Sequence, residues 1–172
     1  FVRLVQEASY DLVVMNPPYH SAGKMAADAS TFQGLYPTGR ADLFAAFILR
    51  SMELLRKGGR SGSVTLGNWM FLKAFSDFRE HMMTKHHLCL LGDLGKGSFS
   101  SGSKLISASM NIFLKLSGEE RRSIAVRPFE QGDTSTDDAR VVRNDAALLT
   151  GVGRHEFDPA ALKVVPEWPV VY

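Results

Sequence analysis

The sequence predicts an α/β domain with parallel strands, and three consecutive segments carry this prediction. A short apolar run at residues 12–15 ends abruptly at Asn-Pro-Pro-Tyr, which occupies residues 16–19. An amphipathic pattern at 42–57 indicates a helix, and a second apolar run follows at 61–66. A strand, a connecting helix and a parallel strand form one right-handed unit. Ligands of open α/β sheets bind beyond the carboxyl ends of the strands, so we expect a site at residues 16–19.

The first strand is expected to be buried on both faces of the sheet, because residues 12–15 include no polar side chain. Pro17 and Pro18 then remove two backbone donors and fix φ at about −65°. Each proline also keeps the preceding residue out of the helical region, so the chain must leave the strand in a rigid, extended turn. We expect this turn to direct the Asn16 amide, the Pro17 carbonyl and the Tyr19 ring into the space beyond the strand.

These residue types suit a reaction at an exocyclic amine of a planar base. The lone pair of such an amine is delocalised into the ring, so the amine is a poor nucleophile. The Asn16 side-chain oxygen and the Pro17 carbonyl can each accept one N–H, which turns the lone pair toward an electrophile and stabilises the developing positive charge. The Tyr19 ring offers a face for base stacking, worth about 1–3 kcal/mol. An adenine in a duplex would have to be flipped out to reach this site.

Composition limits the classes of protein to which the chain can belong. Its 172 residues suffice for one domain, and 45% hydrophobic with 22% charged residues is ordinary for a globular protein. A net charge of +2 excludes a chain that is basic throughout, so any DNA contact must come from a local patch. Cys89 is the only cysteine, which predicts a reducing compartment without internal disulfides. The chain opens at Phe1 without an initiator Met, and we expect a piece of a longer protein.

Residues 21–39 form a long segment rich in small and polar residues, for which two interpretations stay open. Helical spacing favours a short helix within it, carried by Met25, Ala29 and Phe32. The segment is either a lid beside the base pocket, with Lys24 or Arg40 contacting DNA phosphate, or a mobile surface excursion.

The helix at 42–57 has the clearest periodicity in the chain. Its apolar face is expected to point to the core and comprises Leu43, Phe47, Met52, Leu54 and Leu55. Arg56 and Lys57 suit the negative end of the helix dipole, and Gly58-Gly59 is the expected C-cap.

Residues 67–71 follow the second strand and are expected on the same rim as Asn16. Trp69 either walls the base or cofactor pocket or, together with Phe71, packs under the next helix. The periodicity predicts that next helix at 75–85.

The glycine- and serine-rich segment 95–104 lies between two predicted strands, at 88–94 and 106–116, and this order indicates a hairpin. A phosphate-binding loop is excluded because no helix follows the glycines. The remaining predicted elements are a strand at 123–129, a loop at 130–138, a short helix at 145–149 and a largely extended tail at 157–172.

Neither a metal site nor a cofactor-binding turn is expected from the sequence. His81, His86, His87 and Cys89 lie close together but lack the paired spacing of zinc ligands. The nearest approach to a glycine-rich cofactor turn is Gly151-Val152-Gly153, which lacks a third glycine and a clear flanking strand and helix.

Asn-Pro-Pro-Tyr after an apolar strand resembles the catalytic motif of adenine-N6 DNA methyltransferases, which use S-adenosylmethionine. Three further segments are similar to the large adenine methyltransferases of BREX phage-defence systems, the PglX type: Asp-Leu-Phe-Ala-Ala-Phe at 42–47, Trp-Met-Phe-Leu at 69–72 and Pro-Val-Val-Tyr at 169–172. The resemblance implies a partial Rossmann-like methyltransferase sheet, with strands four to seven and an antiparallel hairpin at the edge. It divides the chain into residues 1–118, the C-terminal half of the catalytic domain, and 119–172, an extension toward a missing region.

The resemblance also implies roles for individual residues. Asn16, Pro17 and Tyr19 would be catalytic, with Tyr19 stacking on the target base. Phe99, on the hairpin loop, would stack on the other side of the base or else fold back onto the sheet. The lysines that flank this loop would contact phosphate or stay solvated; they are Lys96 and Lys104.

The function implied is that of a fragment of a site-specific DNA methyltransferase, acting on adenine N6 in phage defence or restriction-modification in a prokaryotic cytoplasm. S-adenosylmethionine would bind the full-length protein, and the partners would be double-stranded DNA with a flipped adenine, the missing N-terminal half and other phage-defence subunits. No membrane is expected, since no apolar run approaches the roughly 20 residues that span a bilayer. We expect the isolated chain to be inactive, because it lacks the donor cradle and its first strand would present an unpaired edge. Two alternatives stay open: a protein glutamine N5-methyltransferase, and a non-catalytic base- or DNA-binding module with the same fold.

Overall fold

A six-stranded mixed β-sheet runs through the protein, with the spatial order β1-β2-β4-β3-β5-β6. The computed structural model describes residues 7–24, 29–97, 107–116, 122–128 and 136–172. Its strands are β1 (Tyr10–Met15), β2 (Leu55–Leu66), β3 (His87–Lys96), β4 (Ser107–Leu114), β5 (Ser123–Val126) and β6 (Arg154–Phe157). Its α-helices are α1 (Ala29–Leu35), α2 (Leu43–Leu54), α3 (Ser76–Lys85) and α4 (Asp137–Thr150).

The predicted strand–helix–strand unit is confirmed. β1 and β2 are parallel neighbours, with Met15 opposite Ser63. α2 connects the two strands and buries Phe44 completely. Because parallel strands end at the same edge of a sheet, Asn16 and the segment after Leu66 emerge on one rim.

The boundary between α2 and β2 differs from the prediction. α2 ends at Leu54 rather than at residue 57, and β2 begins at once at Leu55. The predicted C-cap, Gly58-Gly59, lies inside β2: the Gly58 N–H donates to the Lys115 carbonyl, and the Lys115 N–H donates to the Gly59 carbonyl. The two basic residues before these glycines therefore lie on a strand and not at a helix end. Hydrogen bonds to a residue so distant in sequence override the local helix pattern.

β1 is the terminal strand of the sheet, and it is not buried on both faces as the apolar run predicted. Leu12 and Val14 on its outer face are 60% and 74% exposed. Val13 and Met15, on the other face, pack against the hydrophobic core. No strand of the described ranges pairs with the free edge of β1.

The hairpin of β3 and β4 forms as predicted, with Leu90 opposite Ile112. β5 then pairs in parallel with β3, and β6 pairs antiparallel with β5, so the hairpin lies inside the sheet rather than at its edge. These two added strands come from residues beyond 118, which the sequence assigns to an extension; a domain division at that point stays a prediction.

The glycine pair near residue 151 ends a helix that is longer than predicted. α4 spans Asp137–Thr150, whereas the sequence indicated only 145–149. Gly151 stops the helix with φ at 73°, a conformation that favours glycine. Gly153 also has positive φ, and a Cβ there would lie 2.1 Å from the Arg127 carbonyl oxygen. Glycine at this position therefore allows the turn to pack closely against the Arg127 backbone.

Of the remaining elements, α3 and β5 match the predictions in type. α1 is the short helix expected before α2, although Met25 lies outside the described residues. The tail is not wholly extended, since β6 and a 3₁₀ helix at Pro159–Val164 occupy part of it. Leu162 and Val170 of this tail join the main hydrophobic core. None of the described helices is long and apolar enough to cross a membrane.

Candidate active site

The Asn-Pro-Pro-Tyr segment leaves β1 as a corner that folds back over the end of β2. Asn16 is exposed, Pro17 is buried and Tyr19 is half-buried. The Tyr19 hydroxyl donates to Asn16 Oδ1 at 3.0 Å and makes a longer contact of 3.4 Å with the Val64 carbonyl of β2. The corner therefore spans both strands and keeps the Asn16 side chain at the surface with a defined partner.

Tyr19 makes an apolar contact through its ring and a polar contact through its hydroxyl. Its ring packs against the main hydrophobic core, while its hydroxyl reaches Asn16. Burial raises the pKa of the Tyr19 phenol above its ordinary value, so the hydroxyl stays a neutral donor near pH 7. A half-buried ring of this kind presents an apolar body toward the core and a polar tip toward the site.

The residue after Tyr19 fastens the corner to the first turn of α2. The His20 N–H donates to Asp42 Oδ1 at 2.9 Å, and the Leu43 N–H donates to the His20 carbonyl at 2.9 Å. Asp42 is also the N-cap of α2, because the same oxygen accepts the Phe44 N–H at 3.3 Å. Its side chain is buried, and burial raises its pKa while the backbone donors, His20 first, oppose the rise.

Trp69 packs in the core and does not wall a pocket at the rim. The side chain is 0% exposed, its Nε1–H donates to Ser109 Oγ at 3.1 Å, and its ring meets Phe78 edge-on with centroids 5.9 Å apart. Trp69 therefore packs under the next helix, which is the second of the two interpretations given for it. That interpretation also had Phe71 packed there, but 58% of Phe71 is exposed, on the rim segment after β2.

The basic residues predicted to meet phosphate are spread along this edge of the sheet. Lys24 ends a short 3₁₀ helix after the corner, and Lys96 ends β3; both are exposed. Arg40 lies just before α2 and forms an ion pair of 3.5 Å with Asp77. Two further predicted residues lie outside the described ranges, namely Phe99 and Lys104. Contacts of these residues with DNA stay predictions.

Arg79 is a buried charge that sequence reasoning missed. It is 0% exposed, and its Nη1 donates to the carbonyls of Trp69 and Leu72, both at 2.7 Å. Its Nε and Nη2 donate to the Glu167 carbonyl at 3.1 and 2.6 Å. Its position on α3 between Phe75 and Met82 was the available signal, since that spacing points inward. Arg79 joins the rim segment after β2 to the C-terminal tail.

The segment Gly151-Val152-Gly153 is a helix-ending turn, and its Gly153 lies close to the Arg127 backbone. No group of three His, Cys, Asp or Glu side chains in the described ranges could hold a metal ion. A cavity of about 460 Å³ lies at the opposite end of the sheet from the corner, where Tyr36, His81 and His86 contribute to its lining. This cavity is therefore separate from the candidate site.

The fold recurs in solved structures of restriction-modification and methyltransferase proteins. A chain of a type I restriction-modification system superposes with a TM-score of 0.69 at 18% identity, covering 99% of this chain and 39% of that one. A putative class I S-adenosylmethionine-dependent methyltransferase from Listeria monocytogenes gives a TM-score of 0.53 at 16% identity, over 82% of this chain and 44% of that one. At these identities the likeness concerns the fold alone.

Sequence comparison identifies the family to which the chain belongs. The chain belongs to the Eco57I restriction-modification methylase family, whose profile matches residues 1–99. The adenine-specific methyltransferase PglX of Lacticaseibacillus casei (strain Zhang) is 40% identical over 76 residues, which are 44% of this chain and 6% of that protein. The match thus spans only a small part of the length of this curated relative. The matched family region includes the whole corner and the hydrogen bond from the His20 N–H to Asp42 at the start of α2.

Proposed function

We propose that this chain forms the target-base side of the catalytic domain of a DNA methyltransferase that methylates adenine N6. The observation that carries the proposal is the corner at the end of β1, where the exposed Asn16 side chain is held by the Tyr19 hydroxyl at 3.0 Å. Membership of a restriction-modification methylase family and similarity to an adenine-specific enzyme support it. The resemblance to BREX enzymes of the PglX type supports a role of the proposed activity in phage defence.

The chain's own residues would bind and orient the target amine. Asn16 Oδ1 and the Pro17 carbonyl would accept the two N–H groups of the adenine amine, which localises the nitrogen lone pair and stabilises positive charge as it develops. In this structure the Tyr19 hydroxyl donates its hydrogen bond to Asn16 Oδ1. A second acceptor for the hydroxyl, the Val64 carbonyl, lies 3.4 Å away. The hydroxyl can therefore turn toward Val64 when an amine takes its place. The Tyr19 ring would stack on the flipped base, with Phe99 on its other side.

The methyl donor would be held outside the residues that the structure describes. S-adenosylmethionine supplies the methyl group when bound, and the resemblance of this chain covers only the C-terminal half of the catalytic domain. We therefore place the donor cradle in the longer protein, on the side of the free edge of β1. The isolated chain should not bind S-adenosylmethionine with micromolar affinity, which isothermal titration calorimetry can measure directly.

DNA would approach the carboxyl edge of the sheet, where the candidate phosphate contacts lie. Lys24 and Lys96 are exposed along this edge, and Arg40 is exposed beside Asp77. Lys104 would join them from the hairpin loop. Each such contact adds a salt-dependent term to binding without reading sequence, so these residues would set affinity and not the recognised site.

Substitution of Asn16 tests the proposal in the full-length protein that contains this chain. Asn16→Ala removes an acceptor of the developing charge, and removal of one such group typically costs about 10²–10³-fold in turnover. Transfer of tritiated methyl groups from S-adenosylmethionine to DNA from a methylation-deficient strain should fall by that factor. Asn16→Asp keeps a side-chain oxygen and should retain part of the activity. Thr84→Ala, exposed on α3, is the control that should not change it.

The same assay separates the competing functions. Label recovered in protein instead of DNA would favour a glutamine amide methyltransferase, because a carboxamide nitrogen is also planar and could use the same two acceptors. DNA binding without any transfer by the wild-type protein would favour the non-catalytic module. Transfer by Asn16→Ala at the wild-type rate would exclude the role proposed for the corner.

A further inference from the structure

The corner is held through both backbone polar groups of a single residue, His20, by the N-cap and the first residue of α2. The His20 N–H donates to Asp42 Oδ1, and the His20 carbonyl accepts the Leu43 N–H, both at 2.9 Å. Ser21 and Asp42 also form an isolated antiparallel bridge. The backbone directly after Tyr19 is thus tied to α2 at consecutive residues, and it has little freedom to shift along or away from the helix.

One carboxylate oxygen joins this backbone to the helix. Asp42 Oδ1 accepts from His20 and, at 3.3 Å, from the Phe44 N–H in the first turn of α2. Asp42 is 5% exposed, so water does not compete strongly for that oxygen. An acceptor shared between two fixed donors transmits the position of the helix to the corner.

The helix that carries Asp42 is itself immobilised by packing. Phe44, Ala45 and Ile48 are 0% exposed, and Phe44 stacks on Phe75 with ring centroids 5.4 Å apart. Close-packed interiors transmit displacements instead of absorbing them. A fixed α2 therefore fixes Asp42, and through His20 it fixes the Tyr19 ring and the Asn16 amide beside it.

We propose that Asp42 is a positioning residue for the reaction: its carboxylate, acting through the His20 amide, sets the geometry of the Asn16–Tyr19 corner. The inference rests on the proposed function, because it assigns Asp42 to the same site, but Asp42 does not touch the target base. It acts as a hydrogen-bond acceptor, so a neutral acceptor of the same shape should replace it. A displacement of about 1 Å in such a site can cost about 100-fold in rate.

Three variants of the full-length protein separate positioning from simple folding. Asp42→Ala removes the shared acceptor, and Asp42→Asn keeps an oxygen in the same place. Asp158→Ala is the matched control: Asp158 also caps a helix, through a 2.8 Å bond from the Ala160 N–H, but it lies on the C-terminal tail away from the corner. Each variant is compared per folded molecule, with the folded fraction taken from its thermal transition.

The first readout is steady-state methylation of DNA from a methylation-deficient strain, with kcat and KM for DNA measured separately. Asp42→Ala should lower kcat by about tenfold to 100-fold, the range expected for misplaced reacting groups, and should change KM less than about threefold. Asp42→Asn should stay within about threefold of wild type in kcat, and Asp158→Ala should match wild type. Equal kcat in Asp42→Ala and Asp158→Ala would overturn the proposal, and so would equal loss in Asp42→Ala and Asp42→Asn.

The second readout is the hydrogen-exchange rate of the His20 amide in this chain, which needs no catalytic activity. The rate should rise by about tenfold or more in Asp42→Ala and stay near the wild-type value in Asp42→Asn and Asp158→Ala, since protection reports local opening. If the wild-type protein methylates nothing, the proposed function fails. The second readout then tests by itself whether Asp42 holds the His20 backbone in place. An unchanged His20 rate in Asp42→Ala would then reject it.

Discussion

The Tyr19 hydroxyl donates a hydrogen bond of 3.0 Å to Asn16 Oδ1, so these two residues of the corner are paired before any base arrives. The pairing satisfies the acceptor that a target amine would need, and it holds the Asn16 side chain in one orientation. A 3.4 Å contact with the Val64 carbonyl gives the hydroxyl a second acceptor. Tyr19 thus has two separable parts, a ring that can stack and a hydroxyl that organises Asn16.

Two substitutions of Tyr19 separate the ring from the hydroxyl. Tyr19→Phe keeps the ring and should leave methyl transfer by the full-length protein within about threefold of wild type, because an incoming amine displaces the hydroxyl in any case. Tyr19→Ala removes the stacking face, worth about 1–3 kcal/mol, and should lower kcat/KM by about tenfold to 100-fold. Equal loss in the two variants would show that the hydroxyl, and not the ring, is the functional part.

Replacement of Arg79 by Met should destabilise the chain strongly. The guanidinium donates to three buried or partly buried carbonyls, and an unpaired buried carbonyl costs about 1–3 kcal/mol. We expect the free energy of unfolding, from urea titration, to fall by about 3 kcal/mol or more. Arg122→Met is the matched control, since Arg122 is 80% exposed and its 3.7 Å ion pair with Glu156 should contribute less than about 1 kcal/mol. Similar losses in both variants would contradict this role for Arg79.

His86 should make the chain less stable in mild acid. Burial, followed by the nearby His81, Lys115 and Lys85, lowers the pKa of His86 to about 4, and its Nδ1 is buried without a partner. The unfolded chain therefore binds a proton at His86 between about pH 6.5 and pH 4, where the folded chain does not. As far as His86 is concerned, the free energy of unfolding is highest above about pH 6.5, and it falls as the pH drops through this window.

Urea midpoints at pH 7.5 and pH 5 measure this effect. The wild-type midpoint should be lower at pH 5, and His86→Gln should reduce the difference between the two values. His20→Gln, which replaces an exposed imidazole, should keep the wild-type difference. Burial, followed by Lys85, also lowers the pKa of His81, so the double substitution of His81 and His86 should reduce the difference further. A wild-type midpoint that does not change between the two pH values would refute the prediction.

Several elements could be predicted because their signals are local. Apolar runs give the strands, helical spacing gives α2 and α3, and two consecutive prolines force the chain to turn after β1. The glycine- and serine-rich loop between two apolar strands gives the β3–β4 hairpin. The corner residues Asn16, Pro17 and Tyr19 were predicted on the same grounds, and their catalytic roles stay proposals.

Other features depend on contacts between distant residues. The end of α2 is decided by hydrogen bonds between the Gly58-Gly59 segment and Lys115, and the inside position of the hairpin is decided by β5. Trp69 lies in the core because it finds Ser109 as a partner for its indole N–H. The role of Arg79 depends on the carbonyl of Glu167, 88 positions further along the chain, as well as on that of Trp69, and no local pattern contains this pairing.

The sequence by itself determined the class of fold, the family and the corner, since each follows from residue types at short spacing. Only the tertiary structure decided how the corner is held. Asp42 accepts a hydrogen bond from His20, 22 positions away in the sequence, and the Tyr19 hydroxyl contacts the Val64 carbonyl, 45 positions away. The physical reason is that a hydrogen bond requires two groups at the right distance and angle, and their separation along the chain does not specify that geometry. Packing of α2 against the sheet brings the groups together.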